Sequence, residues 1–133
     1  YSFEDAKRVY ELDPDIMMQV FIPDEKAVAR FEQTGIPWEN VVAFVTHKRP
    51  GEEHRAALEL LRGKGVMAVI GTSRTLDRSY LNGELEKGEL EQSYRGLIDT
   101  GAAILEADLG IEAGQAIEAL WSEQSLKRQY FKQ

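Results

Sequence analysis

Gly35, Gly65 and Gly101 divide this chain into units of one kind, each glycine closing a helix-patterned segment and preceding an apolar run. The runs are Val41–His47, Val66–Ser73 and Ala102–Asp108, and each finishes in polar residues. Glycine spacings of 30 and 36 residues match a strand–helix–strand unit of roughly 30 residues or more. Continuous apolar runs of this kind suit parallel strands covered on both faces by helices. In such sheets the polar side chains emerge at the C-terminal ends of the strands, where chemistry is placed. The expected fold is therefore α/β. Parallel strands near residues 16–22, 41–46, 66–71 and 102–108 should gather Thr46, His47, Thr72, Ser73, Glu106 and Asp108 along one edge.

The intervening segments carry helical spacing. Ala6, Val9 and Tyr10 share a stripe that Asp13-Pro14 closes. Asp24 is placed to cap a helix containing Ala27, Val28 and Phe31, which ends at Gly35. Ala57, Leu58 and Leu61 mark a third helix, on which His54 is expected at the exposed surface. Thr72 to about Gly88 reads as the longest irregular stretch. Leu90, Tyr94, Leu97 and Ile98 form a further helix face. Ala116, Ile117, Leu120 and Trp121 mark a last helix, which Leu126 and Tyr130 could continue through the tail.

At 133 residues the chain fits one domain but falls short of a closed eight-stranded barrel, which takes roughly 250 residues. Its 23 acidic against 16 basic residues give a net charge of −7, which argues against general nucleic-acid binding. No apolar run approaches the ~20 residues of a membrane helix. There is no cysteine, so disulfides and thiolate chemistry are excluded. The chain starts at Tyr1 rather than Met, which raises the expectation of a lost N-terminal portion.

Glu106 and Asp108, two apart on a strand, should point to one side and could hold a divalent cation or orient a substrate hydroxyl. Equally, one could cap the next helix while the other pairs with a cation. His47, Lys48 and Arg49 follow a strand and could receive an anionic group or simply be solvated. Gly71-Thr72-Ser73-Arg74 permits close ligand approach without forming a phosphate loop. Trp38 and Trp121 are expected to pack. No Ser-His-Asp arrangement, zinc spacing or dinucleotide fingerprint is present.

In order, these pieces resemble the C-terminal part of a glycerophosphodiester phosphodiesterase, a TIM-barrel family. Tyr1-Ser2-Phe3-Glu4 is similar to the family's Ser-Phe-Asp, and Asp13-Pro14-Asp15-Ile16-Met17-Met18 to its proline-then-strand step. Gly65-Val66-Met67-Ala68-Val69-Ile70-Gly71-Thr72 takes the place of Gly-x-x-Val-x-x-Trp-Thr. Gly101 through Asp108 resembles the closing Gly-Val-Asp-x-Ile-x-Thr-Asp. The chain departs at Gly71 (usually Trp), Ala107 (usually Thr) and Gly110 (usually Pro), and in the segment after Arg74. It resembles a divergent branch.

The resemblance implies parallel βα repeats forming the C-terminal half of a (β/α)8 barrel, with Ser2, Thr46, His47, Lys48, Thr72, Ser73, Arg74, Glu106 and Asp108 as candidates for the substrate rim. It implies hydrolysis of a glycerophosphodiester to glycerol 3-phosphate and an alcohol, in lipid or glycerol metabolism. Calcium or magnesium would serve the full-length enzyme, with no metal or cofactor held by this chain. The family's His-Arg-Gly, Glu-x-Asp, His-Asp and Glu-x-Lys elements would all precede Tyr1, so no catalytic or metal-binding residue is assigned here, and the chain alone is expected to be inactive. Glu106-Ala107-Asp108 is not that Glu-x-Asp, because a helix follows it. Implied partners are the missing N-terminal half or a second copy, and a phosphodiester small molecule. A bacterial periplasm and a cytoplasm are both compatible with the resemblance. The alternative is a stand-alone α/β ligand-binding or regulatory module. Its phosphoacceptor-receiver version fails for want of an acidic pair after the first strand and a late lysine.

Overall fold

The computed structural model describes residues 2–118. Tyr1 and residues 119–133, among them Leu120, Trp121, Leu126 and Tyr130 of the expected last helix and tail, lie outside the described residues.

Four strands form one parallel sheet in the order β1-β2-β3-β4: β1 (Met18–Phe21), β2 (Val41–Thr46), β3 (Met67–Gly71) and β4 (Ile104–Glu106). Helices α1 (Phe3–Leu12), α2 (Glu25–Glu32), α3 (Glu52–Gly63), α4 (Leu76–Leu81), α5 (Lys87–Asp99) and α6 (Gly110–Glu118) alternate with them. Sequential order with every pair parallel requires a crossover after each strand, and the glycine-punctuated segments supply it. Gly35, Gly65 and Gly101 take φ of 76°, 73° and 104°, the left-handed conformation that ends a helix and that side chains resist.

Local chemistry starts the helices. Ser2 and Asp5 form a reciprocal capping box on α1, each side chain accepting from the other's amide at 3.1 Å. Asp24 accepts from Ala27 N at 2.7 Å to open α2. Asn40 donates to the carbonyls of Pro14 (2.7 Å) and Ile16 (3.1 Å), which ties the approach to β1 to that of β2.

The core lies between the sheet and the helices. Val20, Ile22, Val41, Ala43, Val45, Ala68 and Ile70 pack against Ala27, Val28, Phe31, Leu58, Leu61 and Leu97. Phe31 is fully buried, edge-on to Phe3 with ring centroids 5.5 Å apart and 4.7 Å from Trp38. The opposite face of the sheet carries Phe21, Met67 and Ile104, which are 55%, 47% and 37% exposed. That face and both sheet edges, β1 and β4, are unpaired among the described residues.

Two expectations need correction. The stretch from Thr72 to Gly88 contains α4, whose Leu76 and Tyr80 pack toward Leu90 and Tyr94. Polar composition concealed a short helix that packing supports. His54 is buried rather than exposed, because its Nδ1 turns back to accept from Gly51 N at 3.0 Å and closes the first turn of α3.

Candidate functional site

All four strands point their C-terminal ends the same way, so Phe21, Thr46, Gly71 and Glu106 mark one rim. β2 is irregular there: its register with β3 shifts between Phe44 and Thr46. A bulge at a sheet rim re-aims the residues that follow it. Beyond it the Thr46 hydroxyl accepts from Lys48 N at 3.2 Å and turns the chain. His47 then lies against Phe44, ring centroids 4.4 Å apart, and Phe44 is 6.1 Å from Phe21. Phe21, Phe44 and His47 thus make an aromatic series along the inner face of the rim.

Gly71 makes that series possible. A Cβ at Gly71 would lie 3.0 Å from both His47 Nδ1 and Phe44 Cζ, a separation that forces one ring to move. The bare backbone at the end of β3 is therefore the floor on which the rings of β2 rest. Gly71 pairs in register with Glu106, so the Glu106 side chain rises from the neighbouring strand on the same face. A concavity of about 450 Å³ opens here, lined by Phe21, Phe44, His47 and Glu106 at the rim and by Ser2, Asp5 and β1 along the sheet edge. Its charged lining residues are two carboxylates, Asp5 and Glu106, with no lysine or arginine. Hydrogen bonds from the backbone and hydroxyl of Ser2 hold the Asp5 carboxyl below its usual range, so it is anionic at neutral pH. The Glu106 carboxylate receives no hydrogen bond or ion pair among the described residues.

The structure distributes the remaining candidates unequally. Ser2 lines the concavity, but its hydroxyl serves the α1 cap. Thr72 is buried, its amide and hydroxyl both donating to the Glu106 carbonyl at 2.9 and 3.3 Å, so it fastens β3 to β4. Ser73 is half-buried, and Lys48 and Arg74 are exposed outside the concavity. Asp108 lies past the end of β4, exposed and outside the concavity.

What holds Asp108 in place is a residue that sequence reasoning passed over. Asp77 on α4 is completely buried. Its carboxylate accepts from the Tyr94 hydroxyl at 2.6 Å, from Asp108 N at 2.7 Å and from Leu109 N at 3.4 Å. One side chain thus ties α4, α5 and the loop between β4 and α6. Burial, and next the hydrogen bond to Asp77, push the Tyr94 hydroxyl well above its ordinary range, so it stays a donor. The available signal was an aspartate placed where α4 begins, but the partners lie 17 and 31 residues away.

No group of three or more histidine or acidic side chains capable of holding a metal ion occurs among the described residues. The rim residues present do not fit the ion that the resemblance implies. No described helix is long and apolar enough to cross a membrane.

No family model matches the chain, and no curated protein matches it. Among solved structures it is similar to a glycerophosphoryl diester phosphodiesterase from Parabacteroides distasonis, with 31% identity and a TM-score of 0.86. The match covers 97% of this chain and 43% of that one, so the chain spans less than half the length of the relative. The four parallel strands and their helices correspond to half of a (β/α)8 barrel, a partial phosphodiesterase-like fold.

Proposed function

We propose that this chain supplies the C-terminal half of a metal-dependent phosphoric diester hydrolase that cleaves glycerophosphodiesters to glycerol 3-phosphate and an alcohol. The observation that carries the proposal is the structural match of nearly the whole chain to 43% of a phosphodiesterase at 31% identity. The uncovered inner face and the free edge of β1 support it, since a strand seated on that edge would extend the parallel sheet toward closure. In this reading the rim residues described above bound the substrate. The acid/base groups and the carboxylates for calcium or magnesium come from a segment preceding Ser2. General acid/base catalysis needs a titratable group within hydrogen-bond reach of the reacting oxygens. A single rim histidine without a metal cluster is a poor basis for hydrolysis.

The 133-residue chain alone is therefore inactive, and joining it to an upstream segment that carries those groups creates the activity. The test is coupled detection of glycerol 3-phosphate with calcium or magnesium present. Failure of the joined protein to hydrolyse any glycerophosphodiester refutes the proposal.

A further inference from the structure

The chain contains two asparagines, in very different settings. Asn40 precedes the β-branched Val41, and its side-chain nitrogen donates to the carbonyls of Pro14 and Ile16. Asn82 precedes Gly83, and both are exposed at the end of α4. The backbone requires the glycine, because φ at Gly83 is 73°, the left-handed conformation that closes a helix. Gly83 N donates to the Tyr80 carbonyl at 3.0 Å and Glu84 N to the Ser79 carbonyl at 2.9 Å, the two bonds that cap the last turn. The residue that ends the helix thus also sets a sterically open peptide nitrogen beside the Asn82 carboxamide.

We propose that Asn82 is a site of spontaneous modification, gated by the end of α4, at which the carboxamide becomes a carboxylate. The Gly83 N–H gives its proton to solvent base, and the nitrogen attacks Asn82 Cγ. The Cγ–Nδ2 bond breaks, Nδ2 takes up a proton and leaves as ammonia, and a cyclic imide remains. Water opens either carbonyl of that ring, giving aspartate or isoaspartate, and water is the only co-reactant. The folded turn resists the attack. Asn82 holds a helical ψ of −2°, Gly83 N is engaged by Tyr80, and Asn82 Nδ2 reaches Glu84 Oε1 at 3.4 Å. The gate is weak, because α4 has six residues and depends on the packing of Leu76 and Tyr80 for its stability. Both products oppose its closing again. Aspartate sets a second carboxylate beside that of Glu84, at the negative end of the helix dipole. Isoaspartate lengthens the backbone by one methylene and draws Gly83 N away from Tyr80. Since α4 carries Asp77, the modification loosens the fastening of the β4–α6 loop.

The test incubates the 133-residue chain and a peptide of residues 76–88 in mildly alkaline buffer and follows both by peptide mapping with mass spectrometry. Asn82 should gain the mass of amide-to-acid exchange, with aspartate and isoaspartate both formed, while Asn40 stays intact. The peptide should react about tenfold faster, since two backbone hydrogen bonds must open first in the folded chain. Asn82→Gln should stop the reaction. Asn82→Asp reproduces one product and should lower the thermal midpoint by about 1–3 °C. Asn82 unreacted long after the peptide is fully converted, equal rates in chain and peptide, or conversion of Asn40 at the same rate overturns the proposal. So does an Asn82→Asp midpoint no lower than that of the unchanged chain. None of these measurements involves turnover, so the outcome is independent of the hydrolase reading.

Discussion

Replacing Asp77 by alanine should be among the most damaging single changes in the described residues. The carboxylate is fully buried and accepts two short hydrogen bonds, 2.6 Å from Tyr94 Oη and 2.7 Å from Asp108 N. Asp77→Ala leaves a buried hydroxyl and a part-buried amide without an acceptor, at about 1–3 kcal/mol each, or about 2–6 kcal/mol in all. That is a large share of the ~5–15 kcal/mol by which a domain is stable. Tyr94→Phe removes one donor and leaves the amide satisfied, so it should cost only about 1–2 kcal/mol. In the double variant no hydroxyl is orphaned, and the combined loss should fall short of the sum by at least about 1 kcal/mol. Urea unfolding of the four proteins, extrapolated linearly to water, measures each quantity. A cost for Asp77→Ala below about 1 kcal/mol, or simple additivity, would refute the idea that this carboxylate fastens the β4–α6 loop.

Other consequences are more local. Tyr94 has its folded-state pKa raised, so its contribution is complete below the unfolded tyrosine value near 10 and fades as pH rises toward the folded value. Stability should therefore fall above about pH 10, with one of the five tyrosines refusing to ionise until the chain unfolds, which absorbance at alkaline pH detects. Gly71→Ala should push the exposed His47 ring aside by a few tenths of an ångström and shift its ring resonances, which unchanged spectra would disprove. Lys64→Ala should cost under about 1 kcal/mol despite its ion pair with Glu32, because both partners are substantially solvent-accessible. The isolated chain should sediment as a dimer through its uncovered sheet face, and a folded 15.0 kDa monomer at micromolar concentration would contradict that.

Much of the fold was legible because its signals are local. Glycines at helix ends, Asp24 at a cap and unbroken apolar runs each state a backbone preference without reference to distant residues. The strands prove shorter than the runs that announce them, since Ile16, Ile22, Val66 and Ala102 lie outside the bounds of β1, β3 and β4. The rim was legible only as a set of strand ends. Thr72 reads as a polar rim residue, yet its hydroxyl is spent on the Glu106 carbonyl. Phe44 reads as one more core residue, yet it forms the wall on which His47 rests. Asp77 lies in a stretch whose polarity suggested a loop, and its importance depends on partners that only the tertiary fold brings near. Gly71 is the instructive case: it reads as room for close ligand approach, whereas the structure fills that space with the Phe44 and His47 rings.

A crystal structure of the chain joined to a segment carrying the proposed catalytic groups tests whether these four strands are half of a closed barrel. A strand should run parallel to β1 along its free edge, cover Phe21, Met67 and Ile104, and bring the added groups to the Glu106 rim. A β1 edge left open, or paired antiparallel to the upstream segment, would contradict it.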